Sequence, residues 1–172
     1  MNLRIEKYDH TKTYIGQSKF NCGNAVIDKF AQSGLKKQVK DNISQAYVVI
    51  DALNNNCFVG FYTINAYTLH ASELAVLSKG SLPKTISCLR LVMLGVGEAY
   101  KSNGIGKKLL QHTINLTLKV SGEIGVYGLF LDADQKAVNF YLKHSFEALN
   151  EVQVDKPAPM FLSLETIKQA LI

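Results

Sequence analysis

Apolar and polar positions change period several times along the chain. Residues 2–8 (NLRIEKY) alternate loosely and predict an edge strand. From Asn24 to Lys40 the pattern is helical. Ala25, Ile27, Phe30, Ala31 and Leu35 fall on the apolar side, Lys29, Lys36, Lys37 and Lys40 face outward, and Asn24 is placed to cap the start. Gln45–Ile50 (QAYVVI) and Cys57–Leu69 (CFVGFYTINAYTL) are rich in β-branched and aromatic residues. With the Leu53–Asn56 turn between them they predict a hairpin over 45–69. Residues 70–85 read as irregular, and Pro83 stops a strand there. Ile86–Val96 (ISCLRLVMLGV) is a near-continuous apolar run, the pattern of a strand buried on both faces. A helix is predicted from Gly104 to Val120, with Ile105, Leu109, Leu110, Ile114 and Leu118 at helical spacing. A buried strand follows at Val126–Leu131, then a helix at Asp134–His144 with Ala137, Val138, Phe140 and Tyr141 on its apolar side. A late strand at Ala158–Leu164 and a short helix at Glu165–Ile172 complete the chain.

The strand–turn–helix–strand–helix order over 86–144 requires a crossover helix between two parallel neighbours. The hairpin before it is antiparallel, so the sheet must be mixed. The expected fold class is a single α/β domain over 1–172, a mixed central sheet with helices on both faces. No repeat, low-complexity tract or Pro/Gly/Ser linker divides it. With 47% hydrophobic and 19% charged residues, the composition excludes a disordered chain. No apolar run approaches the roughly 20 residues of a membrane-spanning helix, and the opening MNLRIEKYDH is too charged for a signal peptide. No membrane association is expected, and the location is expected to be cytoplasmic. Cys22, Cys57 and Cys88 are odd in number and widely spaced, so they read as small buried residues rather than a disulfide framework or metal site, and no metal is expected.

The net charge of +5 comes from 19 Lys and Arg against 14 Asp and Glu. Arg4 and Arg90 are the only arginines. Base reading in DNA leans on the arginine fork, so the scarcity of Arg argues against a sequence-specific DNA reader. The lysine excess leaves RNA or a phosphorylated cofactor open.

The stretch richest in chemistry is Leu91–Leu110 (LVMLGVGEAYKSNGIGKKLL). A strand ends at Val96, and Lys101-Ser102-Asn103-Gly104-Ile105-Gly106 leads straight into a helix. Such a turn leaves backbone N–H groups free at a helix N-terminus, where the dipole favours anions. Gly104 and Gly106 allow close approach of a phosphate, and Lys101, Lys107 and Lys108 add positive charge. By itself a GxG step before a helix is more often a structural turn. No GxxxxGK[ST] P-loop is present, and GVGEAY lacks the third glycine of a dinucleotide fingerprint.

Strand, then [QRK]-x-x-G-x-G, then amphipathic helix, resembles motif A of the GNAT N-acetyltransferases. Downstream, Asp134-Gln135-Lys136-Ala137…Tyr141…Ser145-Phe146 is similar to that family's N-x-x-A-x-x-x-Y-x-x-x-G-F element, with Asp134 in place of Asn and Ser145 in place of Gly. Gly97 stands where Asp is usual after the motif A strand. Phe20-Asn21-Cys22-Gly23 with Ile27-Asp28-Lys29-Phe30 resembles a segment of the TacT-type acetyltransferase toxins. Gly60-Phe61-Tyr62-Thr63, Leu82-Pro83 and Pro159–Leu164 also match, so the resemblance covers nearly the whole chain.

The resemblance implies acetyl-CoA as donor. It implies that the backbone around Leu94, Gly95 and Val96 binds pantetheine and polarises the acetyl carbonyl. The amides of Lys101, Ser102, Asn103, Gly104, Ile105, Gly106 and Lys107 would hold the pyrophosphate, and Asp134 and Ala137 would line the pantetheine end. Tyr141 would give a proton to the departing thiolate. No base falls at a family position; Glu98, His70, His112 and His144 are the available groups. A missing base suits an amine of low pKa, and an α-amine titrates near ~7.7–8.0 against ~10.4 for lysine. The implied substrate is the α-amino group of aminoacyl-tRNA, whose acetylation halts translation. Lys29, Lys36, Lys37, Lys40, Lys79, Lys84 and Arg90 are the candidate tRNA contacts. Implied partners are a ribbon-helix-helix antitoxin and a second copy as homodimer. The alternatives are acetylation of a small-molecule or protein amine, or CoA binding without catalysis.

Overall fold

Strands β1 (Leu3–Lys7), β2 (Gln45–Asp51), β3 (Cys57–His70), β4 (Thr85–Val96), β5 (Gly128–Ala133), β6 (Glu147–Ala148) and β7 (Ala158–Ser163) make one mixed sheet. Its order is β1-β2-β3-β4-β5-β7-β6. The computed structural model describes every residue except Val76, Ser78, Lys79, Leu171 and Ile172. β1 is an edge strand, as its loose alternation predicts, and β1/β2 and β2/β3 pair antiparallel. β4 and β5 pair parallel, joined by the crossover helix α3 (Ile105–Ser121). Tertiary contacts gather into two units, Met1–Asn65 with Val92–Thr113, and Ala66–Leu91 with the chain from Ile114 onward.

In the first unit Asn24 caps its helix as expected, its Oδ1 accepting from the N–H groups of Val26 and Ile27 at 3.0 and 3.3 Å. The helix is not continuous. It runs as α1 (Ala25–Lys29), a π-helical turn at Phe30–Gly34, and α2 (Leu35–Lys40). The reason lies in the spacing of the inward residues. Ile27, Ala31, Leu35 and Val39 repeat every four positions, and an α-helix advances about 100° per residue, so each step drifts by about 40°. One wide turn takes up the accumulated drift and keeps the four on one side. Ala31, Leu35 and Val39 are buried and Ile27 half-buried, whereas Ala25 is exposed, against expectation. They pack with Phe20, Phe58 and Phe61, and Phe20 meets those two rings edge-on at 5.3 and 5.6 Å. The β2–β3 hairpin turns through Asn55 and Asn56 at φ 50° and 54°, a left-handed conformation that asparagine tolerates.

In the second unit Leu69, Leu74, Ile86, Cys88, Phe130, Leu149 and Phe161 form the core. β5 starts at Gly128 and not at Val126. Its partner β7 ends at Ser163, opposite Gly128, where the chain turns into α5 (Leu164–Gln169). A Cβ on Gly128 would lie 2.3 Å from the Leu162 carbonyl oxygen, so no side chain fits there. The predicted 134–144 helix is a 3₁₀ turn at Gln135–Ala137 followed by a short α4 (Val138–Leu142). Two-residue β6 has no counterpart in the pattern, which is too short there to show a period.

Three burial expectations change. β4 is buried only in part: Val92, Met93, Leu94 and Val96 are half-buried. On α3, Thr113 and Thr117 are fully buried while Ile114 and Leu118 are half-buried. The Thr113 hydroxyl returns a 2.9 Å hydrogen bond to the Leu109 carbonyl, which lets a polar residue sit on the inner stripe. Cys57 is half-buried, unlike Cys22 and Cys88.

Ser145 ends the α4 region at φ 66°. This is the position where the resembled element carries glycine, and the left-handed backbone supplies the reason. Ser145→Gly is expected to raise stability by about 1 kcal/mol. The check is a thermal melt, which should rise by about 2–4 °C; a fall would show that the serine side chain stabilises the turn.

Candidate active site

β4 ends at Val96, and Gly97 donates its N–H to the Val59 carbonyl at 2.8 Å. Glu98–Tyr100 then make a 3₁₀ turn. The Asn103 side-chain amide donates to the carbonyls of Tyr100 and Lys101 at 3.1 and 3.0 Å, which fixes the loop. Ser102 (φ 63°) and Gly104 (φ 72°) reverse the backbone into α3. The first bond of the helix ladder runs from Lys108 N–H to the Gly104 carbonyl at 3.1 Å. The amides of Ile105, Gly106 and Lys107 therefore precede the ladder at the positive end of a 17-residue helix. A Cβ on Gly104 would meet nothing within 4 Å, so the space before these amides is open. Free amides at a helix N-terminus favour an anion. Among the described residues Lys107 and Lys108 are exposed and make no ion pair, while Lys101 pairs with Glu98 at 2.5 Å.

The strand leading into this turn is held from behind. A Cβ on Gly95 would lie 2.8 Å from Ile27 Cγ2 and 3.3 Å from the Phe20 ring, and one on Gly60 would lie 2.8 Å from the Gly95 carbonyl oxygen. The Glu98 N–H donates to the Asn21 carbonyl at 2.8 Å, and Asp28 Oδ1 accepts from the Cys22 N–H at 2.6 Å. The FNCG…ID segment thus braces Gly95–Glu98. β4 pairs with β5 over Leu89–Leu91, and beyond that stretch Val92, Met93, Leu94 and Val96 are half-exposed. A half-exposed apolar strand edge followed by an anion-binding turn fits a pantetheine arm carrying a pyrophosphate.

In the second unit Asp134 caps its turn, accepting from the Lys136 N–H at 3.0 Å, so the carboxylate does locally what asparagine would. Asp134 is exposed and Ala137 half-buried. Tyr141 is buried, with Phe140 and Phe146 edge-on at 5.2 and 5.5 Å. Its hydroxyl makes no hydrogen bond to any described residue, and burial pushes its pKa up to about 12.

Glu98, His112 and His144 are engaged through their side chains, and His70 through its backbone. Glu98 pairs with Lys101, and the His144 ring nitrogen Nδ1 meets the Phe140 carbonyl at 2.7 Å. His112 Nδ1 lies 2.7 Å from the Tyr62 hydroxyl, and burial lowers its pKa. His70 is exposed, its N–H donating to Glu73. The sequence reading missed this inner grouping of Tyr47, Tyr62 and His112, where the two tyrosine rings stack at 5.2 Å. Lys29, Lys36, Lys37, Lys40 and Lys84 are exposed, Lys37 being paired with Asp41. Lys79 lies outside the described residues. Arg90 differs from the lysines. It bonds Asp132 at 2.8 Å, and its guanidinium sits 5.0 Å from the Tyr67 ring centre and 5.9 Å from that of Phe130.

A family model described as an acetyltransferase (GNAT) domain matches residues 13–161, and the chain belongs to that family. Its members take the acetyl group from acetyl-CoA, so the protein is an acetyl-CoA-dependent N-acetyltransferase. A crystal structure of a bacterial toxin is 35% identical over 98% of this chain and 94% of its own, with a TM-score of 0.93. AtaT complexed with acetyl-methionyl-tRNAfMet is 23% identical over 99% and 100%, at 0.86. A tyrosine-to-phenylalanine mutant of the AtaT toxin, bound to the C-terminus of the antitoxin AtaR and acetyl-CoA, is 22% identical over 99% of each chain, at 0.81. The last two, at their low identity, show a shared fold. No described helix is long and apolar enough to cross a membrane, and the described residues hold no group of three or more His, Cys, Asp or Glu placed for a metal.

Proposed function

We propose that this protein is a toxin that acetylates the α-amino group of aminoacyl-tRNA. One observation carries the reading: the FNCG…ID segment, which resembles the toxin branch of the family, is packed directly against the acyl strand at Gly95–Glu98. Support comes from the 35% identical bacterial toxin, and from the AtaT neighbour crystallised with its acetylated tRNA. The exposed Lys29, Lys36 and Lys40, on the side of α1–α2 away from the core, supply charge for an RNA backbone.

Acetyl-CoA brings an activated acetyl thioester. The amides of Lys101 to Lys107 hold its anionic end, with Lys107 and Lys108 adding charge. The backbone of Leu94, Gly95 and Val96 aligns the acyl carbonyl. Asp134 and Ala137 line the pantetheine, and Tyr141 holds a proton at its hydroxyl for the departing sulfur. An α-amine with pKa about 7.7–8.0 is partly neutral at physiological pH and needs no strong base. The lysines on α1–α2, with Lys84, contact the tRNA backbone. We extend the domain to the whole of 1–172 and assign it a homodimeric state, a ribbon-helix-helix antitoxin and a cytoplasmic site of action.

The test is incubation with labelled acetyl-CoA and charged tRNA, alongside induction in a growing culture. Label on the aminoacyl group and arrested growth are expected. Transfer to small or protein amines with charged tRNA untouched would overturn the reading.

A further inference from the structure

Near its end β5 carries a carboxylate that the fold only half uses. β4 and β5 pair in register from Leu89–Leu129 to Leu91–Leu131, and Asp132 is the next residue of β5. Alternate residues of a strand share a face, so Asp132 follows Phe130, which lies across the ladder from Arg90. Arg90 Nη2 donates to Asp132 Oδ2 at 2.8 Å. The guanidinium is steadied by the Tyr67 and Phe130 rings, 5.0 and 5.9 Å away, which stack on each other at 5.0 Å. This is one of only two arginines in a chain that otherwise uses lysine. A planar guanidinium can lie against rings and aim its N–H groups, and an ammonium cannot. Yet the fork is not spent on a two-pronged grip, which would engage both carboxylate oxygens. Arg90 Nε is buried without a partner, and Asp132 Oδ1 accepts from no described residue. The Asp132 side chain keeps 36% of its surface exposed, so a ligand reaches it from solvent.

Half-exposed ion pairs add little to stability, whereas a fixed carboxylate with one oxygen free is a binding group. Its place indicates the ligand. Two residues on, Asp134 caps the turn that leads into α4 and Tyr141, and both belong to the proposed thioester site. An ionised carboxylate accepts hydrogen bonds only, and its charge favours a cationic donor. The acceptor amine is such a donor: an α-amine with pKa about 7.7–8.0 is mostly ammonium at pH 7.

We infer that Asp132 Oδ1 holds the acceptor amine and takes the proton it sheds, with Arg90 as the positioning residue that fixes the carboxylate. This rests on the reading of the site given above. As the amine lone pair forms the C–N bond, the nitrogen turns positive, and Asp132 stabilises that charge. Asp132 then takes one proton from the nitrogen. The electron pair of the breaking C–S bond leaves with sulfur, which receives the Tyr141 proton. Solvent removes the first proton from Asp132 and restores the second to Tyr141.

The experiment compares Asp132→Asn and Arg90→Lys with wild type. Asparagine keeps the shape and an oxygen for Arg90, and lysine keeps the charge, so both variants should fold. Three quantities are read: affinity at pH 7 for charged and for uncharged tRNA without acetyl-CoA, kcat, and melting temperature. Wild type should bind charged tRNA about tenfold tighter than uncharged, the equivalent of one hydrogen bond to a charged group. Asp132→Asn should bind the two alike. Its kcat should fall about 10²-fold, and that of Arg90→Lys about tenfold as the carboxylate loses its fixed position. Melting temperatures should stay near wild type. An Asp132→Asn protein that keeps both kcat and the preference for charged tRNA makes the pair structural and overturns the inference alone. If wild type acetylates another amine and leaves charged tRNA untouched, the tRNA reading falls. The inference then stands only if Asp132→Asn slows that transfer about 10²-fold. A wild-type protein that acetylates no amine overturns both.

Discussion

Tyr141→Phe is expected to cut kcat by about 10²–10⁴-fold, the range for loss of a positioned general acid. Acetyl-CoA affinity should be unchanged. The phenyl ring keeps its edge contacts with Phe140 and Phe146, and the lost hydroxyl leaves no described partner unpaired, so the fold should hold. The same residue shapes the pH profile. Burial places its pKa at about 12, so the proton stays on the hydroxyl throughout the neutral and alkaline range. Below about pH 8 the α-ammonium of the acceptor gains its proton and the rate falls. Above that the rate should reach a plateau that continues through the ordinary tyrosine range, because burial holds the hydroxyl proton beyond it. The variant should keep the acidic fall at its lower rate. Steady-state kinetics across pH, with isothermal calorimetry for acetyl-CoA, check both. A variant as fast as wild type, or a wild-type rate that drops between about pH 9 and 10, the reference range of an unperturbed tyrosine, sinks the assignment.

That assignment was legible because the chemistry of this fold sits at sequence-local points. A strand, a glycine turn and a helix start within about twenty residues, and the reversal into α3 falls at Ser102 and Gly104. Elements with a clear pattern also matched closely, among them β2, β3, β4 and α3. Departures arose where a partner, not the local pattern, sets the outcome. The π turn at Phe30–Gly34 follows from a four-residue repeat held against one core face, and β5 is shifted two residues along to the register of β7. Thr113 and Thr117 read as polar but are inside, because a helix can satisfy a threonine hydroxyl on its own backbone.

Gaps at the site have the same origin. The Tyr47–Tyr62–His112 grouping draws on two strands and a helix about fifty residues apart in sequence, and no local spacing announces it. Arg90 looks in sequence like one more cation. Only the fold shows its guanidinium committed to Asp132 and two aromatic rings. The FNCG…ID motif was visible as a resemblance, but its physical task of bracing Gly95–Glu98 was not.

That brace makes two glycines separable by experiment. An alanine Cβ at position 60 would lie 2.8 Å from the Gly95 carbonyl oxygen and 3.4 Å from Val96 Cα, so backbone must give way. The displaced atoms belong to the segment proposed to align the acyl group, and a misplacement approaching 1 Å can cost about 10²-fold in rate. Gly60→Ala is therefore expected to lower kcat/KM by about 10–10²-fold. At position 95 the Cβ instead meets Ile27 Cγ2 at 2.8 Å and the Phe20 ring at 3.3 Å, side chains that can shift on the flank of the core. Gly95→Ala should cost about 1–3 kcal/mol of stability as overpacking while retaining most of kcat/KM. Melting curves and steady-state kinetics on the two variants decide the matter. If Gly95→Ala damages catalysis more than Gly60→Ala does, the segment is aligned from the Phe20–Ile27 side, and the carbonyl facing Gly60 is not the sensitive element.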